Sequence, residues 1–327
     1  MTQHHTKVMA TLTLEQCADA TLLASLCNAG MKGVRINSAH VLPEQLELMV
    51  NSLRRNAPGV AILMDTKGPE LRTTATDLDA EIPLSAGQLL AVDDSDCPCT
   101  PAAIHIPCIA PALHEGIELV LDDGEVHLRL TDAHTAVVTK AGILGARKSV
   151  NLVGCEMPPL PAVSPRDRVN LHAAARLGID MVAHSFVRSA EDILQVRQEL
   201  PDTSVKLFAK IETRLAVSHM ESILNACDGL LMARGDLGTQ ISPFAIPAVQ
   251  RRCAELCTKT SKPFIIATQI LQSMMAAPYP TRAELSDIAL GTWQGADYLL
   301  LCGETARGAY PVQCVQVTAD TILNCES

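Results

Sequence analysis

FAKIETRLAVSHMESILNACDGLLMARGD (residues 208–236) holds two apolar runs that each end in charge, with a helical segment between them. A strand buried on both faces is apolar throughout, and its first polar residues mark where it leaves the core. The same unit recurs along the chain. TKVMATL (6–12), VRINS (34–38), ILMDTKG (62–68), MVAHSF (181–186), IIATQ (265–269) and LLLCGE (299–304) complete a set of eight runs, each followed by a helical pattern. Eight strands alternating with helices predict an α/β fold, a (β/α)8 barrel of the TIM type. In such a barrel the polar strand ends meet at one face, and chemistry sits there. The rhythm therefore gathers Arg35, Asn37, Asp65, Lys210, Glu212, Asp236, Thr268 and Glu304 into one pocket.

Local signals support the helices. Leu14 to Asn28 reads as one helix closed by Gly30. Pro43 and Pro165 stand at first helical turns, with Ser164 as an N-cap. Ser189 caps another helix, Thr281 with Glu284 forms a capping box, and the last helix runs from Pro311 to about Asn324. The rhythm breaks between strand 3 and its helix. Residues 74–147 turn to short alternating segments, with Asp122-Asp123-Gly124 as a hairpin turn. This reads as a small β-rich domain inserted at the catalytic end, placed to act as a lid, between barrel portions 1–73 and 148–327.

Composition narrows the possibilities. The chain has 327 residues, enough for one barrel and one small domain. Hydrophobic residues make up 48% and aromatic ones only 2%, so the core is aliphatic. A net charge of −10 argues against a nucleic-acid partner. No apolar run reaches the length of about 18 residues that a membrane helix needs. The start MTQHHTKVMA lacks the apolar stretch of a signal peptide, so the twelve cysteines are expected as reduced thiols in the cytoplasm. Cys97, Cys99, His105 and Cys108 cluster within one loop region. Their spacing fits no standard zinc motif, so loop thiols are expected rather than a structural metal.

Lys210 and Glu212 are two apart on a strand and face the same way, and Asp236 ends the neighbouring strand. Two carboxylates beside one lysine suit a divalent cation, Mg2+ or Mn2+, that also holds substrate oxygens. A salt bridge at the barrel mouth is the plainer alternative. Gly235-Asp236 can aim backbone amides at an anion, Thr268 adds a hydroxyl, and Arg35 and Arg72 are candidate phosphate clamps. This describes a site for a small, multiply charged anion, and covers kinases, aldolases and decarboxylases of 2-oxo acids.

At these residues the chain resembles the pyruvate kinase family. MDTKGPELRT (64–73) is similar to that family's DTKGPEIRT, and KIET, MARGDLG, KPFIIATQILQSM, PTRAELSDIA and GETARGAYP follow in family order. LGARKSVNLVG and DMVAHSFVR also match. The resemblance implies Mg2+ ligands at Glu212 and Asp236 and a catalytic Lys210 at the transferring phosphoryl group. It implies a substrate carboxylate held by Thr268 and the Gly235-Asp236 amides, phosphate bound by Arg35, and a K+ site at Asn37, Asp65 and Thr66. Arg72, Asp123 and Lys148 would link barrel and lid, and His40 and Lys148 would serve the nucleotide. It further implies a homo-oligomer.

Several positions depart from the family pattern. A serine of the K+ site is Ala39 here, and the serine before Gly-Glu-Thr is Cys302. On the nucleotide side the family's Gly-Pro reads Thr13-Leu14, and its His-Gly and nearby aromatic read His40-Val41 and Gln45. The family's C-terminal domain has no counterpart in these residues, so its sugar-phosphate regulation is expected to be absent. The leading expectation is phosphoryl transfer between phosphoenolpyruvate and ADP. The altered nucleotide side favours an alternative, a Mg2+-dependent lyase that passes through a pyruvate enolate without nucleotide. A non-catalytic binding protein is the third reading, and the intact Lys210, Glu212 and Asp236 oppose it.

Overall fold

The eight predicted strands close into a barrel of parallel strands. They are β1 (Lys7–Thr11), β2 (Met31–Asn37), β3 (Ala61–Asp65), β4 (Met181–His184), β5 (Lys206–Ile211), β6 (Gly229–Ala233), β7 (Phe264–Ala267) and β8 (Tyr298–Leu301). Each strand pairs with its sequence neighbours, and β8 pairs with β1 to close the ring. The computed structural model describes residues 6–153, 155, 158–200 and 204–327, apart from the side chains of His40 and Asp123.

Alternation along the strands decides what fills the barrel. Met9, Leu63, Met181, Ala183, Phe208, Leu231, Ala233, Ile265, Ala267 and Leu300 form one buried cluster inside it. On β2 the inward position level with Met9 is Gly33. A Cβ there would stand 2.7 Å from Met9 Cε, so glycine lets that side chain lie where it does without shifting. Two residues further along β2, β3, β4 and β5 the inward set turns polar: Arg35 after Gly33, Asp65 after Leu63, Ser185 after Ala183 and Lys210 after Phe208. The apolar plug and the polar layer above it are thus consecutive steps of one period-two pattern.

The helix layer follows the expected caps. Ser164 caps α4 (Pro165–Leu177), Ser189 caps α5 (Ala190–Glu199), and Thr281 with Glu284 forms a capping box on α10 (Arg282–Trp293). Helix α3 covers Pro43–Asn56, and the last helix, α12, covers Pro311–Glu326. One expectation fails. The first helix is two: α1 (Leu14–Ala18) ends at Asp19, whose ψ of 98° leaves the helical region, and α2 (Ala20–Asn28) begins there. The Asp19 carboxylate accepts from Thr21 N at 2.9 Å and Leu22 N at 3.0 Å, so the break is a new N-cap.

Contacts divide the chain into two compact units. One comprises residues 1–68, 162–237 and 244–327, and the other 69–161 and 238–243. The second unit is β-rich as expected. It has a seven-stranded sheet and a two-stranded ribbon that pairs Ile82–Leu84 with Gly142–Leu144. Strands Glu118–Leu121 and Val126–Leu130 pair antiparallel across Asp122–Gly124, the predicted hairpin turn. Leu90, Val92, Ile104, Leu119, Leu128 and Val138 are among its own core residues.

The side chains of the cysteine cluster are dispersed. No group of three or more His, Cys, Asp or Glu side chains suited to a metal exists among the described residues. Cys99 is buried, while Cys97 and Cys108 are exposed. The His105 Nδ1 is engaged by Asp93 at 2.7 Å and Ser95 at 2.9 Å. All twelve cysteines are free thiols.

Candidate active site

Lys210 stands at the centre of the polar layer, 7% exposed. Its Nζ lies 3.2 Å from Asp65 Oδ1, 3.2 Å from Glu212 Oε2 and donates to Ser185 Oγ at 2.8 Å. Asp65 is pinned from both sides. Arg35 donates to its Oδ2 through Nε at 2.7 Å and Nη2 at 2.5 Å, and Ser185 Oγ sits 2.8 Å from its Oδ1. Arg35 also reaches Thr11 Oγ1 at 3.3 Å. Two cations and two carboxylates are therefore packed into one buried quartet.

Burial alone would neutralise these groups, and mutual attraction decides the outcome. Burial pulls the Lys210 pKa down, but Asp65 and Glu212 outweigh it and hold the ammonium above its ordinary range. Burial pushes the Asp65 carboxyl up, but Lys210 and Arg35 outweigh that and keep it ionised. Arg35 likewise remains charged through Asp65. Glu212 goes the other way. Burial dominates, Asp236 and Asp65 add to it, and Lys210 recovers only part, so its carboxyl is pushed up to about 7.

Glu212 is also incompletely satisfied. Its Oε1 accepts from Phe186 N at 2.6 Å. Its Oε2, fully buried, lacks any hydrogen-bond geometry even toward Lys210. A buried carboxylate oxygen without a hydrogen bond is costly unless a cation takes it. Asp236, half-exposed at the start of α8 (Arg234–Gln240), contributes a second negative charge felt by both Lys210 and Glu212. This donor set, hard oxygens on two carboxylates, fits Mg2+ or Mn2+.

The other predicted residues divide. Thr268 and Gly235 are brought together: Gly235 N donates to Thr268 Oγ1 at 2.7 Å, and that hydroxyl donates to Ala267 O at 2.6 Å. The segment 235–238 is not a free turn but part of α8, which continues directly from β6. Asn37 Oδ1 accepts from Ala39 N at 3.2 Å. The Thr66 hydroxyl turns away from the barrel axis, 2.9 Å from His184 Nδ1, and accepts from Ser185 N at 3.2 Å. Glu304 spends both oxygens on backbone amides, Leu271 N at 3.0 Å and Cys302 N at 2.8 Å, and so joins two loops. Arg72 and Lys148 belong to the second unit. There Arg72 pairs with Glu70 and donates to Arg147 O at 2.7 Å, and Lys148 pairs with Asp122 at 2.9 Å. The side chains of His40 and Asp123 lie outside the described residues.

Ser185 and Arg234 escaped the sequence reading. Ser185 touches Lys210, Asp65 and, at 2.7 Å, Thr66 O. Its signal was available, since it lies two residues past inward Ala183 on the same strand line. Arg234 carried none beyond its place beside Gly235.

A closed (β/α)8 barrel with a buried lysine between carboxylates at its strand ends is an arrangement chemically suited to a small anion beside a divalent cation. Comparison with known proteins makes this particular. The model of the pyruvate kinase barrel domain matches residues 3–315. The chain is 37% identical over 319 residues to the pyruvate kinase of Geobacillus stearothermophilus, covering 93% of this chain and 54% of that protein. It is 36% identical over 321 residues to that of Lachancea kluyveri, covering 93% and 64%. It is also 36% identical over 351 residues to that of Agaricus bisporus, covering 100% and 64%. The chain belongs to the pyruvate kinase family, and spans between 54% and 64% of the length of these relatives.

Proposed function

We propose that the chain transfers a phosphoryl group between phosphoenolpyruvate and ADP, giving pyruvate and ATP, with Mg2+ or Mn2+ as cofactor. The observation that carries this reading is the buried Lys210 ammonium, held charged beside a Glu212 oxygen that has no hydrogen-bond partner. Phosphoryl transfer needs little covalent chemistry from a protein, and works by positioning and charge neutralisation.

Each residue then has a role. Glu212 and Asp236 would hold the divalent ion, which supplies Lewis-acid neutralisation of developing negative charge. Lys210 supplies a fixed positive charge that neither moves nor titrates near neutral pH. Asp65 and Ser185 hold that ammonium in place, and Arg35, braced by Asp65 and Thr11, presents its remaining donor capacity to a phosphate. Thr268 Oγ1, with the Gly235 amide behind it, would swing its one proton from Ala267 O to the substrate carboxylate. The leaving enolate receives its proton inside the pocket, where Cys302 stands in the serine position at the end of β8.

K+ ligation by Asn37, Asp65 and Thr66 has less support. Both Asp65 oxygens face cations already, the Thr66 hydroxyl is occupied by His184, and position 39 is alanine. For the nucleotide, Lys148 remains the candidate in the second unit. The family resemblance implies a cytoplasmic, self-associating enzyme, and no helix among the described residues is long and apolar enough to cross a membrane. Nothing in the comparisons favours the lyase alternative.

Phosphorus NMR of the protein with phosphoenolpyruvate, ADP, Mg2+ and K+ tests the proposal. The expected result is ATP formation that is lost in Lys210→Met. An intact, folded protein that forms no ATP under these conditions would overturn it.

A further inference from the structure

Two consecutive residues leave β7 in left-handed backbone: Thr268 with φ of +69° and Gln269 with φ of +53°. Such a conformation is uncommon for any residue but glycine, and for a β-branched threonine it is an outlier. Backbone of this kind persists only where its surroundings over-determine it. Here one side chain does so. Arg234 donates to Thr268 O through Nε at 3.2 Å and Nη2 at 2.8 Å, and to Gln269 O through Nη2 at 3.1 Å.

Arg234 is itself held. It is 8% exposed, and its Nη1 donates to Asp287 Oδ1 of α10 at 2.7 Å and to Gln250 Oε1 at 3.4 Å. Gln250 lies on α9 (Ile246–Thr260) and donates to Gln294 Oε1 at 2.7 Å. The guanidinium is a planar fork locked on its far edge by the helix layer, so its near edge can grip two successive carbonyls. An ammonium at the same place has no such fork.

We propose that Arg234 is a positioning residue for Thr268. By clamping the 268–269 carbonyls it enforces the left-handed turn, and the turn places the Thr268 hydroxyl against Gly235 N and in reach of the substrate carboxylate. The inference rests on the reading of Thr268 as a substrate ligand. Arg234 touches no substrate in this scheme and acts only through the backbone it holds.

The test uses the 327-residue chain and oxalate, a mimic of the enolate, as the probe. Calorimetric binding of oxalate in Mg2+ and thermal melting are measured for wild type, Arg234→Gln, Asp287→Asn, Gln269→Gly and the Arg234→Gln/Gln269→Gly double variant. Loss of one hydrogen bond to a charged ligand weakens binding on the order of 10- to 100-fold, and Arg234→Gln should lose oxalate affinity on that scale. Glycine adopts positive φ freely, so Gln269→Gly should restore part of the lost binding and part of the lost melting temperature in the Arg234→Gln background. In wild type the same glycine should raise neither. A merely structural arginine would lose stability in Arg234→Gln and Asp287→Asn alike, with no rescue by glycine. Unchanged oxalate binding in Arg234→Gln, or a loss that Gln269→Gly does not repair, overturns the proposal. If wild type itself binds no oxalate, the functional reading fails, and the melting arm alone decides the clamp: glycine rescue supports it and its absence refutes it.

Discussion

Replacing Glu212 with glutamine should stabilise the metal-free protein at alkaline pH while removing its response to Mg2+. Glu212 is fully buried, its Oε2 has no hydrogen-bond partner, and burial holds its carboxyl at about 7 against an ordinary value of 4.5. The distance between those values corresponds to about 3 kcal/mol against the charged form. The folded pKa lies above the unfolded one. The penalty is therefore absent at acid pH below the ordinary value and complete once pH rises past about 7. Glutamine carries no charge and escapes it, and its oxygen can still accept from Phe186 N. Its amide NH2 then faces Lys210 Nζ, donor against donor, and that unsatisfied contact returns about 1–2 kcal/mol. The net gain is about 1–2 kcal/mol, or about 2 °C in melting temperature for a chain of this size. Thermal melts in chelator near pH 8 and near pH 5, each repeated with excess MgCl2, check the reasoning. The variant should melt above wild type near pH 8 and lose or reverse that advantage near pH 5, and MgCl2 should raise only the wild type. A variant that melts lower near pH 8, or that gains as much from MgCl2 as wild type, refutes the account of this carboxylate.

Three further outcomes follow from the geometry. Gly68→Ala should cost more than about 1 kcal/mol of stability, since φ is +69° and a Cβ would fall 2.2 Å from Ser185 O. Denaturant unfolding measures it, and because Ser185 holds Lys210, turnover should fall as well. Asp19→Ala should cost about 1 kcal/mol by removing the cap of α2, with turnover unchanged in the phosphorus NMR assay. Atomic emission on the purified protein should find no stoichiometric zinc, since His105 is engaged by Asp93 and Ser95 and no suited cluster exists among the described residues.

The barrel was legible because strands buried on both faces show it twice, as apolar runs and as polar ends. The break at Asp19 was not, since aspartate in an apolar-periodic stretch reads as a solvated helix position until its own ψ is known. Residues whose role comes from the far side of the fold were equally hidden. Glu304 binds the Leu271 and Cys302 amides, and nothing within LLLCGE discloses that Leu271 N is near.

Within the site, alternation separates two kinds of polar residue more sharply than motif reading does. Asp65, Lys210 and Ser185 continue the inward line of Leu63, Phe208 and Ala183, and they meet one another above the apolar plug. Thr66, His184 and Arg234 are each one residue off that line. Thr66 and His184 therefore meet each other outside the barrel, and Arg234 reaches Asp287 and Gln250 among the helices. A one-residue step thus converts a group that can face a substrate into one that holds the frame around it. It explains why Thr66, adjacent to Asp65 in the same motif, offers its hydroxyl to a histidine rather than to the pocket. It also explains why Arg234, adjacent to Gly235 and Asp236, can grip the backbone of Thr268 without competing with Lys210 for the anion.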